Sequence, residues 1–521
     1  MRHAPATRLA AVLAALLLAR PALAQANADA DSADGVALTV YSSADPASFD
    51  PQQFAAQQRM GRDPSFAWQV PGYGVVKEVR RIALPAGTGD VRITDVAAFI
   101  DPTTVSFADL DAPQATGVLE QVFQFDLVSP SKLLERYVDH EIDLRETRND
   151  GSGPLEAFVR GKVLSANQGQ VVLQLADGTL RFVSSSDPNL RLPALPDGLV
   201  TRPTLVWKVA SEQAGTRRVR TTYQTGGLTW RADYNVVLAG DDTHADVSAW
   251  VTLMNMSGAS YRDARLKLVA GDVQRVAPRM PPAPRAPARG AKLRDANEGF
   301  EEKSFFEYHL YTLPRRTDVL DASTQQLALF PTAQGVGVEK VLVYYGLPDA
   351  AHWVFSQPRT DRELGTLSNP KVDVYLRVAN SRENRLGMPL PKGKLRVYKR
   401  DDADGTREFV GEDLIDHTAR DEKVLVKLGQ SFDVVGSRKQ TDFRVDSGRH
   451  EIEERYEIEL RNHKDTAAQV VVRETLYRWT NWEILESSDP YEKQDSRNIH
   501  MTVEVPANGS KTVTYRVRYT W

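Results

Sequence analysis

The sequence predicts an all-β, multi-domain protein in which small N-terminal β domains precede antiparallel β-sandwich domains, with very little helix. The first observation is the stretch 226–238, "GGLTWRADYNVVL", where apolar side chains occupy every second position. Such alternation is typical of a β-strand with one face on a core and the other in water. The second is that this pattern recurs through most of the chain, whereas no long helical periodicity is visible. Within the stretch, the side chains predicted to face water are those of Thr229, Arg231, Asp233 and Asn235.

The N-terminal residues predict an exported protein. Arg2 and Arg8 precede an apolar run at 9–19, and the small side chains of Ala22 and Ala24 precede Gln25. A basic start, a short apolar run and small residues two apart are the pattern of a cleaved secretory signal. Residues 1–24 are therefore predicted to be a signal peptide, and the expected location is the periplasm or the exterior of a Gram-negative bacterium.

The composition excludes several classes of protein. The chain has no cysteine, so no disulfide framework is expected. The 65 basic and 69 acidic residues leave a net charge of -4, which gives no overall attraction to nucleic acid. No apolar run after the signal peptide approaches the length of a membrane-spanning helix, so no transmembrane helix is expected in the mature chain.

The mature chain is predicted to begin with a mobile arm and a small β domain. Residues 25–65 are rich in Ala, Asp, Ser and Gln and show one apolar alternation, at 36–41. They are interpreted as a mostly mobile arm. Short alternating segments separated by Pro, Gly and Asp then predict a small β domain over 66–128.

A second small domain is predicted over 129–195. Ser129 can cap a short helix that begins at Pro130, because a serine oxygen accepts bonds from free backbone N–H groups and proline suits the first helical position. Turn signals at 167–169 and 177–178 then join three short strands. Tight strands in so short a segment favour a small barrel-like sheet.

Longer strands predict sandwich architecture in the rest of the chain. The region 196–274 is predicted to be a β-sandwich region, with strands at 203–210, 217–225, 228–239, 245–256 and 262–270. Five prolines and six basic side chains within 275–294 predict a solvated linker over 275–304. The linker is interpreted as a spacer, with contact to anionic envelope polymers as the alternative. Residues 305–521 are predicted to form a C-terminal β-sandwich region.

The last strand leaves two architectures open. Apolar and aromatic side chains alternate in "TVTYRVRYTW", which ends at Trp521 and is similar to the last strand of an outer-membrane β-barrel. The favoured interpretation makes it the final strand of a sandwich, paired with "HMTVEV" through the "PANGS" turn.

One stretch near the C-terminus combines aromatic rings with acids. In "LYRWTNWEILESSDPYEKQD" the candidate binding residues are Trp479, Trp482, Glu486, Asp489 and Tyr491. Aromatic rings beside acids can stack on a sugar and hydrogen-bond it, or bind a cationic peptide. The structural alternative is that the tryptophans pack on the sandwich core and the acids are solvated.

No motif of a catalytic, metal or cofactor site is present. The chain has no GxSxG, phosphate-loop or dinucleotide-binding motif, and its nine histidines show no pair at metal-ligand spacing. No catalytic residue, metal or cofactor is therefore predicted. Hydrolysis of an envelope polysaccharide by paired carboxylates stays open as an alternative, because any two of the many acids could converge in the fold.

Several separated motifs resemble one bacterial family. They are, in chain order, "GGLTWRADYNVVL", "LKLVAGDV", "FEYHLYTLPRRTDV", "GMPLPKGKLRVYKRD", "FVGEDLIDHT", "NWEILESSDPYEKQD" and "TVTYRVRYTW". Over about 200–521 the chain resembles the domain-of-unknown-function 4139 (DUF4139) family, akin to the mucoidy-inhibitor-A-like proteins but without their coiled-coil insertion. The resemblance implies a β-rich envelope or secreted protein and supplies no catalytic residues.

The sequence thus predicts an exported, non-enzymatic β-sandwich protein that binds or scaffolds in the cell envelope. An envelope glycan or an envelope protein is the expected partner.

Overall fold

The computed structural model describes residues 35–42, 70–149, 154–196, 198–271, 273, 301–305, 307–401 and 403–521. The predicted signal peptide, most of the predicted arm and residues 275–300 of the predicted linker lie outside the described residues. The structure is 64% strand and 3% helix, which confirms the all-β prediction. Within the described residues, no helix combines the length and the apolar character needed to cross a membrane.

The strands are numbered in chain order. The first ten are β1 (Gly35–Ser42), β2 (Tyr73–Leu84), β3 (Gly87–Thr94), β4 (Ile100–Asp109), β5 (Thr116–Gln124), β6 (Glu141–Asn149), β7 (Pro154–Asn167), β8 (Gln170–Leu175), β9 (Leu180–Ser184) and β10 (Leu190–Arg191). The next eight are β11 (Thr204–Ser211), β12 (Gly215–Thr225), β13 (Leu228–Leu238), β14 (His244–Asn255), β15 (Tyr261–Ala270), β16 (Glu301–Phe305), β17 (Tyr308–Thr312) and β18 (Thr317–Val319). The last eleven are β19 (Ser323–Tyr345), β20 (Lys371–Ala379), β21 (Gly393–Arg400), β22 (Arg407–Ile415), β23 (Lys423–Asp446), β24 (Glu451–Asn462), β25 (Ala468–Thr475), β26 (Trp482–Ser487), β27 (Glu492–Lys493), β28 (Asn498–Val505) and β29 (Gly509–Thr520).

The N-terminal strands do not form a sheet of their own. An eight-stranded sheet has the order β16-β17-β15-β1-β2-β12-β4, with β18 also paired to β15. A separate sheet has the order β3-β11-β5. Strands from the region 66–128 therefore share sheets with strands from the region 196–274. The alternation at 36–41 lies in β1, which pairs in parallel with β15 and buries Leu38 and Val40 completely.

The chain between β5 and β11 forms a separate five-stranded sheet with the order β10-β6-β7-β8-β9. The short helix α1 (Pro130–Arg136) packs against it, and Leu134 of the helix joins a small core with Val163 and Leu173. The Ser129 side chain accepts a bond from the Lys132 backbone N–H at 3.3 Å, as the sequence predicted. Both predicted hairpins are present, but β7 is longer than expected because a bulge near Val163 bends one continuous strand.

The thirteen-stranded sheet carries two apolar cores. Its main path is β22-β21-β13-β14-β19-β20-β23-β24-β29-β26. The first core lies where the β13, β14 and β21 part of this sheet faces the eight-stranded sheet, and the Trp230 indole donates to the Val40 carbonyl between them at 3.1 Å. The second core is formed by the end of β19 and by residues of β20, β23, β24, β25, β28 and β29.

Two long strands join the cores. β19 has 23 residues and buries Leu329 in the first core and Tyr344 in the second. β23 has 24 residues and buries Val426 in the first core and Val434 in the second. Because each strand is continuous, the two sandwiches share backbone hydrogen bonds across their junction.

The prediction for the polar face of β13 is wrong. Thr229, Arg231 and Asp233 were expected to face water, but all three are buried. β13 lies between β14 and β21, and the Asp233 carboxylate accepts from the Arg231 guanidinium at 3.2 Å and from the Thr252 hydroxyl at 2.5 Å. In a central strand of a wide sheet, neighbouring long side chains cover one another even on the face away from the core.

The predicted pairing of the last two strands is also wrong. β29 pairs with β24 and β26, whereas β28 pairs with β25 and β27. The turn between β28 and β29 therefore joins two strands of the thirteen-stranded sheet that are not paired with each other, β29 on its main path and β28 on the branch through β25. Met501 of β28 and Tyr515 of β29 are both buried in the second core, although their strands are not paired with each other.

Candidate functional site

The two tryptophans of the sequence-predicted site pack on the second core. Trp479 and Trp482 are half-buried against it. The Trp482 indole donates to the Ser496 carbonyl at 2.7 Å, and the Lys493 ammonium lies 4.4 Å from the centre of its ring. Both rings are therefore engaged mainly with the chain's own side chains.

The acids of that stretch lie apart from the tryptophans. In β26 the register shifts between Ile484 and Glu486, so Trp482 lies opposite buried Tyr519 whereas Glu486 lies opposite Arg516 on the outer face. Glu486 forms ion pairs with Arg455 and Arg516 at 3.5 and 3.8 Å.

The remaining two residues of the predicted site lie in the loop after β26. The Asp489 carboxylate pairs with Lys511 at 2.8 Å. Burial raises the pKa of Asp489, but the bonds from Lys511 and Ser488 outweigh it and leave that pKa below its usual value. Tyr491 is exposed. The structure thus does not gather the five residues on one face.

A different group of charged side chains lies inside the second core. It consists of Arg438, Glu454, Glu474 and Arg478, hereafter the buried cluster. The Arg438 Nε donates to Glu474 at 2.9 Å, and the Arg478 Nε lies 2.7 Å from the Glu454 Oε1. The side chains of both pairs are at most 2% exposed. Charges removed from water in this way require partners, and each acid has a guanidinium.

Two tyrosines donate further hydrogen bonds to the carboxylates of the cluster. The Tyr456 hydroxyl donates to Glu454 at 2.6 Å, and the Tyr515 hydroxyl donates to Glu474. The two rings stack with their centres 5.4 Å apart. Burial, together with the nearby carboxylates, raises the pKa of both hydroxyls well above its usual value, so they stay protonated and act as donors.

The cluster holds a loop over the end of the sandwich. This loop, residues 346–370, is called the closing loop and includes the 3-10 turn Pro348–His352. The Arg478 guanidinium donates to the carbonyls of Arg359, Asp361 and Leu364 at 2.8, 2.7 and 3.0 Å. The Arg438 guanidinium donates to the Gly365 carbonyl at 2.8 Å. Both arginines therefore bridge a buried carboxylate and the backbone of the closing loop.

The closing loop fits tightly at Gly365. Its backbone has a φ of +80°, and a Cβ atom there would lie 2.0 Å from the Tyr477 hydroxyl. That hydroxyl donates to the Leu364 carbonyl at 3.0 Å. Only glycine allows the backbone both this conformation and this approach.

The chemistry of the cluster is that of a neutral, closed network. Two guanidiniums balance two carboxylates, and a substrate could reach them only after the closing loop moved. In the part of the chain that the structure describes, no group of three or more His, Cys, Asp or Glu side chains is placed to hold a metal ion.

The buried cluster was not predicted from the sequence, although the strand pattern carries a signal of it. In β24 the inward positions are Ile452, Glu454, Tyr456, Ile458 and Leu460, so an acid takes an apolar position. In β25 and the residues that follow it, the inward positions are Val470, Val472, Glu474, Leu476 and Arg478. Charged residues in the inward phase of an alternating strand indicate a buried ionic network.

These features define an all-β protein with several separate sheets, in which the second sandwich encloses a charged network. The family model for a domain of unknown function, DUF4139, matches residues 219–521, and the chain belongs to this family, as the sequence motifs predicted. The matched segment begins within β12 and contains both long strands and the buried cluster. No curated protein sequence matches the chain.

Proposed function

We propose that the protein is an exported, non-enzymatic β protein that binds or scaffolds a component of the cell envelope. The pattern of residues 1–24 supports export. The non-enzymatic part of the proposal rests on how the carboxylates of the buried cluster are bound. Both carboxylates are bound by guanidiniums whose other N–H groups hold the closing loop. Such a network stabilises a binding scaffold and leaves no open cleft at these acids.

Fractionation and co-sedimentation test this proposal. The full-length gene is expressed in a Gram-negative host, and the mature chain is purified and mixed with isolated envelope. We expect cleavage near Gln25, recovery from the periplasm or the medium, and saturable sedimentation with envelope material. A protein that keeps its first residues, stays in the cytoplasm and does not sediment with envelope would contradict the proposal.

A hydrolase that acts on envelope polysaccharide is the second candidate. The observation in its favour is a pair of buried carboxylates, Glu454 and Glu474, among the rings of Tyr456, Tyr477 and Tyr515. Two carboxylates near aromatic rings are the usual composition of a glycosidase site. The reaction would require the closing loop to move away.

Release of reducing ends from purified envelope polysaccharide separates the candidates. The leading proposal predicts no release above a heat-denatured control. Release by the wild-type protein that is lost in Glu454→Gln, with the variant still folded by circular dichroism, would establish the hydrolase instead.

A further inference from the structure

The outward face of the first sandwich carries an exposed tryptophan on an inner strand of the thirteen-stranded sheet. Trp250 on β14 lies opposite Ala328 on β19 and Asp233 on β13. Its side chain points away from the first core, because the inward positions of β14 are those of Ala249 and Val251. We call the surface formed by Ser248, Trp250, Thr252, Gln326, Ala328, Arg396 and Glu412 the Trp250 face.

Small neighbours leave the indole accessible. Along β14 the same-face neighbours of Trp250 are Ser248 and Thr252, and across the sheet lies exposed Ala328. Trp250 is 38% exposed, a large value for a residue in an inner strand of a wide sheet. The exposed indole offers a ligand an apolar ring face for stacking.

Hydrogen-bonding groups flank the ring on both sides. On β19 the Gln326 side chain is exposed, and its amide donates to the Thr252 hydroxyl at 3.4 Å. On the other side, Arg396 lies 3.6 Å from Asp233 and 3.3 Å from the exposed Glu412. These groups point into the same open space as the indole, because the register places them on one face.

The charges of this face neutralise one another. Arg396 is shared between two carboxylates, and Glu412 also pairs with Lys394 at 3.2 Å. Such paired charges attract a charged polymer weakly, whereas their remaining N–H groups and lone pairs, with the Gln326 amide, can bond to hydroxyl groups. The surface is therefore complementary to an uncharged, hydroxyl-rich ligand with an apolar ring face.

We propose that the Trp250 face binds a neutral glycan chain. The C–H face of one pyranose ring stacks on the Trp250 indole, and hydroxyls of this ring and of its neighbours in the glycan chain bond to Gln326, Arg396 and Glu412. This inference rests on the proposed envelope-binding function and names the class of ligand.

Affinity gel electrophoresis of the mature full-length protein tests the inference. The probes are two neutral polysaccharides, hydroxyethylcellulose and galactomannan, and one acidic polysaccharide, polygalacturonate. We expect retardation by a neutral probe, a loss of about tenfold in affinity in Trp250→Ala, and retention of most of the affinity in Trp250→Phe. Trp521→Ala is the matched control, because Trp521 is 37% exposed and lies at the end of the chain. Equal thermal unfolding of the variants confirms that they fold.

Two results would overturn the inference. One is equal retardation of the wild-type protein and Trp250→Ala by the neutral probes, and the other is retardation by polygalacturonate alone. Co-sedimentation with isolated envelope separates this failure from failure of the proposed function. A wild-type protein that sediments with envelope but is not retarded by the neutral probes contradicts only the Trp250 inference. A wild-type protein that neither sediments with envelope nor is retarded by the neutral probes contradicts both.

Discussion

Two loops that close sandwich ends are held by different chemistry. In the first sandwich, the fully buried Asn380 donates to the carbonyls of Met388 and Ala419 at 2.8 and 3.0 Å and accepts from the Gly387 N–H. In the second sandwich, the Arg478 guanidinium donates to three backbone carbonyls of the closing loop. An amide is neutral and needs no counter-charge, whereas a buried guanidinium does. The comparison identifies Glu454 and Glu474 as the counter-charges of the two arginines.

The largest expected effect is that of removing one guanidinium. Arg478→Met leaves Glu454 buried without its cation and frees three carbonyls of the closing loop. We expect the free energy of unfolding of the second sandwich to fall by about 3–5 kcal/mol, measured by urea denaturation.

An exposed arginine supplies the control for this substitution. Arg518 is 36% exposed and pairs with Glu453, so Arg518→Met should cost about 1 kcal/mol or less. Equal effects of the two substitutions would mean that burial of the Arg478 pair is unimportant for stability.

A second substitution sharpens the counter-charge interpretation. In Glu454→Gln/Arg478→Met both charges of the pair are removed, so no buried charge remains without a partner. We expect the double variant to be more stable than the sum of the single losses predicts, by about 1–3 kcal/mol. Additive losses in the same urea experiment would show that Glu454 does not balance Arg478.

Removal of the Asn380 side chain, which holds the loop of the first sandwich, should lower the stability less than removal of Arg478. Asn380→Ala removes bonds to two carbonyls and one N–H but leaves no buried charge unpaired. We expect a loss of about 1–3 kcal/mol in the free energy of unfolding, smaller than that of Arg478→Met. A loss larger than that of Arg478→Met would reverse the comparison.

The smallest effect is a pH dependence confined to the second sandwich. Burial and the nearby Arg473 lower the pKa of His500 below its usual value. The unfolded chain then binds more protons than the folded one near pH 6, so stability is fully present above the unfolded pKa and falls as the solution is acidified. In His500→Gln the melting temperature should fall slightly less between pH 7 and pH 5 than it does in the wild-type protein. An unchanged pH profile in this variant would show that another group causes the dependence.

Alternation was enough to predict the five strands of the region 196–274. The strands predicted at 217–225 and 228–239 agree with β12 and β13 to within two residues, because the inward positions of each recur at every second residue. Asn255 and Asn462 end β14 and β24, and Asn380 directly follows β20. Each of the three is buried and bonds across a loop through its side chain, which alternation alone does not predict.

Strand pairing could not be predicted in the same way. β28 and β29 are adjacent in sequence but pair with other strands, β28 with β25 and β29 with β24. Alternation along a strand shows which face is apolar and does not show which strand lies beside it. The buried cluster was missed for a related reason. Glu454 and Glu474 occupy inward positions on strands that are distant in sequence from the closing loop, and only the fold brings them to the arginines that hold it.

Hydrogen–deuterium exchange of the closing loop tests the central claim, that the buried cluster holds this loop in place. The Asn369 amide donates to the Gly346 carbonyl and the Arg359 amide to the Arg478 carbonyl, so both report on closure. We expect these amides to exchange at least about a hundredfold more slowly than in an unstructured peptide, and to lose this protection in Arg478→Met while β13 stays protected. Rapid exchange of the loop in the wild-type protein, or unchanged protection in Arg478→Met, would contradict the account.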